Sequence, residues 1–181
     1  MAEDRRVVLT KRLIKEALIE LMEEYPISKI SITLLCSRAD VNRVTFYKYY
    51  KDPEDVLIDM ENEILEKIPG NANIEDLSDE KRFIESVTGF FNYVKQNEKL
   101  FRILIVNADH SEFNRRLGEN AMKVYGTKYK TGDKDIDHYS FVYMISGVMG
   151  ILRAWIESGF SLESGKVAGI VHRLVERSLH E

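Results

Sequence analysis

Residues 31–50 read SITLLCSRADVNRVTFYKYY. Ile32, Leu35, Cys36 and Ala39 recur on one helical face, which predicts a short helix over about 31–38. Asp40-Val41-Asn42 is turn chemistry, and a further short helix is expected over 42–49. Ile32, Leu35, Ala39, Val41 and Val44 are expected to converge on one small core shared with a longer preceding helix. The opposite face of the later helix is then left with Asn42, Arg43, Thr45 and Lys48, all able to hydrogen-bond to bases or phosphates. A helix, a three-residue turn and a second helix form the arrangement that lays the second helix in the major groove of DNA.

Upstream, Thr10 is an expected N-cap, and Leu13, Ile14, Ala17, Leu18, Leu21 and Met22 follow at helical spacing until Pro26 forces Tyr25 out of the helix. Downstream, Asp52 is expected to cap a helix with Pro53 at its first position, where a missing N–H costs nothing. Its apolar stripe is Val56, Leu57, Met60, Ile64, Leu65 and Ile68. Residues 69–78, PGNANIEDLS, read as a linker. Five more helices are expected at about 78–96, 98–107, 110–126, 137–158 and 162–180. The fold class is all-α, with about nine helices. Residues 1–51 form a three-helix DNA-binding domain and residues 52–181 a helical bundle for effector binding and dimerisation, with 52–68 as a connecting helix.

Composition agrees with this reading. Of 181 residues 44% are apolar, and only three are proline, enough for a core without much helix breaking. The net charge of −4 conceals a split. Residues 1–51 hold 10 Lys+Arg against 7 Asp+Glu, and the remainder hold 16 against 23. A mildly basic head on an acidic body suits a protein that presents its head to a polyanion. Cys36 is the sole cysteine, which excludes an intrachain disulfide and a cysteine-based zinc site. Without a signal-peptide pattern the expected location is the cytoplasm. The uncharged run from Tyr139 to Leu152 has 14 residues, short for a membrane span, and reads as a buried helix.

The segment ISITLLCSRADVNRVTFYKYYKDPEDVL, residues 30–57, resembles the DNA-binding signature of the TetR family of transcriptional regulators. The matching positions are Ile32, Leu35, Ala39, Val41, Thr45, Phe46, Tyr47, Tyr49, Tyr50 and Leu57. The resemblance implies that Asn42, Arg43 and Thr45 lie at the groove and that Tyr47 gives its hydroxyl to a phosphate. Lys48 and Tyr49 would flank the backbone, and Thr33 would bond a phosphate from the start of its helix. Arg43 is the expected base reader, since arginine bidentate to guanine is the commonest specific contact. Arg5, Arg6 and Lys11 are candidates for further contacts from an N-terminal arm. Four positions depart from the family pattern. Cys36 stands for Ala and Asp40 for the turn Gly, at some cost in the left-handed region. Asn42 stands for Ser and keeps its cap chemistry. Pro53 stands for a phosphate-binding Lys, a role Lys51 is expected to take.

In the body, residues 141–171 resemble a TetR subgroup that includes regulators of dihydroxyacetone-kinase operons, through Ser146-Gly147, Gly150, Trp155 and Gly159. Independently of that, the helix over 139–156 is apolar on nearly every side and must be covered. Gly147, Gly150 and Ala154 permit close approach. Val171, Leu174 and Val175 on the last helix would complete a four-helix interface with a second copy across a two-fold axis; burial within one chain is the alternative. A homodimer predicts a pseudo-palindromic operator. Phe90, Phe101, Tyr125, Tyr143 and Trp155 are candidates to line a pocket for an unidentified small-molecule effector, with plain core packing as the alternative at each. The resemblance implies a ligand-responsive repressor acting by population shift, with activation, or a signal from a protein partner, as the other readings. No cofactor, metal site or membrane partner is expected. Asp133-Lys134-Asp135-Ile136-Asp137 opens like a calcium loop, but His138 and Met144 stand where glycine and glutamate are needed. No catalytic motif appears, so an enzyme is not expected.

Overall fold

A computed structural model describes residues 5–67, 80–106, 111–125 and 132–178. These residues form nine α-helices and no strand, as the apolar periodicity predicts. The chain divides into two compact units, one ending at Ile64 and the other beginning at Leu65.

The first unit contains α1 (Arg5–Glu24), α2 (Ile32–Ala39), α3 (Arg43–Phe46) and most of α4 (Pro53–Lys67). In α1 the buried residues are Ile14, Ala17, Leu18, Leu21 and Met22, a single stripe at helical spacing. The helix starts at Arg5 rather than at Thr10. Thr10 bonds within the helix instead, its hydroxyl donating to the Arg6 carbonyl at 2.8 Å. Arg5, Arg6 and Lys11 therefore belong to a helix and not to an arm.

Asp52 caps α4 by accepting from the Asp55 N–H at 2.8 Å. The compact unit takes in α4 as far as Ile64, whereas the sequence pattern suggested a boundary at 51/52. The physical reason is a set of polar ties from α4 back to α1 and to the end of α3, described below.

The second unit holds α5 (Glu80–Gln96), α6 (Glu98–Phe101), a π-helical turn (Arg102–Val106), α7 (Ser111–Tyr125), α8 (Lys134–Glu157) and α9 (Ser164–Arg177). The α5–α9 pair is its most extensive packing. The π turn buries Ile103, Leu104 and Ile105 in succession, more than one face of a regular α-helix would place inside. Two arginines tie this turn to the end of α8. Arg102 donates to the Ile156 carbonyl at 3.0 Å, and Arg153 donates to the Val106 carbonyl at 2.8 Å. Gly159 and Phe160 both adopt positive φ, 68° and 59°, and the Trp155 indole N–H donates to the Leu162 carbonyl at 2.9 Å, fixing the α8–α9 corner.

The calcium-loop-like aspartates have another use. Asp133 is the N-cap of α8, accepting from the Asp135 and Ile136 N–H groups at 2.9 and 3.2 Å. With 24 residues, α8 is the one helix among those described that is long and apolar enough to cross a membrane, by length and composition alone. The 14-residue uncharged run had suggested otherwise, because it stops at Arg153. That arginine and the buried Trp155 and Ile156 anchor the C-terminal end of α8 within the body.

Candidate nucleic-acid interface

The interface begins with how two very short helices are held. Ser31 caps α2 by accepting from the Leu34 N–H at 3.2 Å. The helix ends at Asp40, which sits in the left-handed region at φ 51°, ψ 43°. The Val41 N–H then returns to the Cys36 carbonyl at 3.0 Å, a Schellman-type closure that ordinarily favours glycine. Asn42 caps α3, its side-chain oxygen accepting from the Val44 N–H at 2.8 Å. The α-helix proper ends at Phe46, shorter than the 42–49 expected from sequence. Backbone bonds from Lys48 to Thr45 and from Tyr49 and Tyr50 to Phe46 carry a tight turn onward.

Leu35, Cys36 and Ala39 of α2 are buried, as is Phe46 of α3 at 0% exposure. Val44, expected in this core, is 70% exposed. The short helix can turn one face inward, and Phe46 with Tyr50, four residues apart, occupies it. Burial holds the Cys36 thiol above its usual range, with Arg43 nearby working against the shift.

Thr33, Asn42, Arg43, Tyr47, Lys48 and Lys51 are exposed, and Thr45 and Tyr49 are half-buried. Among the described residues Arg43, Lys48 and Lys51 have no carboxylate within ion-pair distance, while Arg38 is paired with Glu20 and Glu24. A surface whose cations are not ion-paired and which carries tyrosine and asparagine can bind phosphates and reach base edges.

No local pattern announces the network behind this surface. Asp59 on α4 accepts from the Tyr50 hydroxyl at 2.8 Å. The Lys15 ammonium on α1 lies 2.8 Å from Asp59 Oδ2 and 2.8 Å from Glu63 Oε1. Burial opposes the charge on Lys15, but the two carboxylates outweigh it and hold the ammonium above its usual range. Burial likewise opposes the Asp59 charge, and the Lys15 and Tyr50 hydrogen bonds outweigh it, holding the carboxyl below the usual carboxylate range. Burial and then the Asp59 bond push the Tyr50 phenol well above its ordinary value.

In the second unit, Gly147, Gly150, Ala154 and Leu174 are exposed, Val175 is half-buried and Val171 is buried. Tyr139, Val142 and Tyr143 of α8 are also exposed, Tyr143 by 69%. A groove of about 260 Å³ runs between α8 and α9, with Tyr143, Gly147, Ile151, Val171 and Leu174 in its lining. Three of the aromatic pocket candidates gather around Phe91, whose ring is 6.3 Å from that of Phe90 and 5.1 Å from that of Trp155. Phe101 and Trp155 are buried, and Phe90 is half-buried with its ring 6.1 Å from that of Phe101. Tyr143 lies on the open face of α8, and the side chain of Tyr125 is outside the described residues.

A TetR-type family model, described as the transcriptional regulator C-terminal region, matches residues 81–177. The HTH-type dhaKLM operon transcriptional activator DhaS of Lactococcus lactis subsp. lactis (strain IL1403) is 25% identical over 167 residues, 88% of this chain and 86% of that protein. Two solved structures share the fold. A TetR transcriptional regulator from Streptococcus agalactiae 2603V has a TM-score of 0.70 at 19% identity, covering 97% of this chain and 98% of that one. The dihydroxyacetone kinase operon activator DhaS has a TM-score of 0.64 at 18% identity, covering 95% and 97%. With more than half its length matching the family model and this fold around it, the chain belongs to the TetR family of transcriptional regulators, which bind DNA and are not enzymes.

Proposed function

We propose that this regulator acts as a homodimer that binds a pseudo-palindromic operator through Thr33, Asn42, Arg43, Thr45, Tyr47, Lys48, Tyr49 and Lys51, with Arg43 as the main base reader. The observation that carries the DNA contact is the cationic, carboxylate-free face of α3 and the turn after it. Support for the dimer comes from α8, whose apolar face is left open over Tyr139, Val142, Tyr143, Gly147 and Gly150. An apolar face left this open calls for a partner, and a second copy of the same helix pair fits a two-fold arrangement. The same partner accounts for the exposed apolar surface without a membrane.

The sign of regulation has two readings. Repression follows when a dimer on its operator excludes the polymerase. Activation is favoured by the Lactococcus relative, a transcriptional activator of the dhaKLM operon. The input enters through the body, either as a small molecule loosening the aromatic cluster around Phe90, Phe101 and Trp155 or through a partner protein.

Selection of bound duplexes from random DNA tests the proposal, and a reporter driven by the selected site assigns the sign. Arg43→Ala is expected to relax the preference at one base pair by about 1–3 kcal/mol, and Tyr47→Phe to weaken all duplexes alike. A purified chain that binds no duplex at low salt overturns the proposal.

A further inference from the structure

Val44 is the most exposed of the large apolar side chains in the first unit, at 70%. Single exposed apolar residues are ordinary on a protein surface, but the placement of this one is not. It is the second residue of α3, in the turn that a recognition helix presents to base edges. Its own N–H is tied to the Asn42 side chain at 2.8 Å, so the direction of its Cβ is set by the cap. Its β-branched side chain has one strongly preferred rotamer in a helix, so both methyl groups are held in place before any contact is made. Tyr47 and Lys48 lie three and four residues on, share its face, and are exposed with it. Phe46 and Tyr50 turn the other way into the core. Val44 thus lies on the cationic face, next to Arg43 in sequence and sharing its side of the helix with Tyr47 and Lys48.

On the floor of the major groove the one apolar group is the C5-methyl of thymine. We infer that Val44 is a specificity-determining residue that reads a thymine methyl in each half-site, next to the base pair engaged by Arg43. The inference rests on the proposed DNA contact and extends it from hydrogen bonding to a hydrophobic reading that cytosine and uracil cannot satisfy. Removing one buried methyl from such a contact weakens binding about fourfold.

The test uses the full chain and its selected duplex, in which each thymine of a half-site is replaced in turn by deoxyuridine, deleting the methyl and nothing else. The unaltered protein is expected to lose about three- to fivefold in affinity at one thymine. Val44→Ala is expected to bind the thymine and deoxyuridine duplexes alike at that position. It is also expected to keep its melting temperature, since the side chain is largely exposed. A protein indifferent to every methyl deletion overturns the inference alone, as does a Val44→Ala variant that discriminates as before. Failure to bind any duplex overturns the proposed function and this inference with it.

Discussion

The Tyr50 hydroxyl donates to Asp59 across 2.8 Å, which ties the end of the recognition turn to α4, while Lys15 holds the same carboxylate from α1. Three segments thus meet at one oxygen. Tyr50→Phe removes one hydrogen bond but leaves Asp59 its lysine, and is expected to cost about 1 kcal/mol in urea unfolding. Asp59→Leu leaves Lys15 only Glu63 and Tyr50 without an acceptor, and is expected to cost about 2–3 kcal/mol. Equal costs would show that the three groups do not act together.

The same groups set a pH window. Asp59 titrates below its ordinary 3.8 in the folded state, so its contribution is present above that value and is lost as pH falls through the lower, folded value. Lys15 titrates above its ordinary 10.5 and Tyr50 above its ordinary 10.0. Their contributions are complete below those values and are lost as pH rises toward the folded ones. Urea midpoints measured across pH should fall below about pH 4 and above about pH 10. Tyr50→Phe should flatten the alkaline limb, and an unchanged limb would remove Tyr50 from the account.

Asp40 holds a left-handed conformation at φ 51°. Asp40→Gly is expected to stabilise the head by about 0.5 kcal/mol and Asp40→Val to destabilise it by about 1–2 kcal/mol. Chemical denaturation of the two variants checks the order, and the reverse order would be incompatible with this turn.

A Cβ added at Gly147 meets nothing within 4 Å in the chain. Gly147→Leu is therefore expected to leave the protomer folded, with an unchanged circular dichroism spectrum. Against a closely apposed second copy it would clash. Sedimentation equilibrium should show the dimer weakened at least tenfold, with operator affinity falling alongside. A variant that dimerises normally would place the interface elsewhere.

Much of this was legible in the sequence because caps and periodicity are local. Asn42 and Asp52 announce helix starts, and both cap as expected. Val44 and Phe46 were not legible in the same way. Both are apolar, and over a four-residue helix periodicity cannot decide which faces inward. Only the three-dimensional course of the turn does, and it buries Phe46. The Lys15–Asp59–Tyr50 tie was invisible for a different reason. Charged residues 44 positions apart carry no sequence pattern, and their pairing depends on how α1 and α4 pack.

The shortness of the reading element limits what one copy can spell. From Arg43 to Phe46 the four residues of α3 rise about 6 Å, the length of roughly two base pairs. A vocabulary that small recurs constantly in any genome, so a lone protomer has no unique address. In the proposed dimer, selectivity is assembled by joining short words at a fixed interval, and the grammar of that interval belongs to the body of the protein rather than to its reading head.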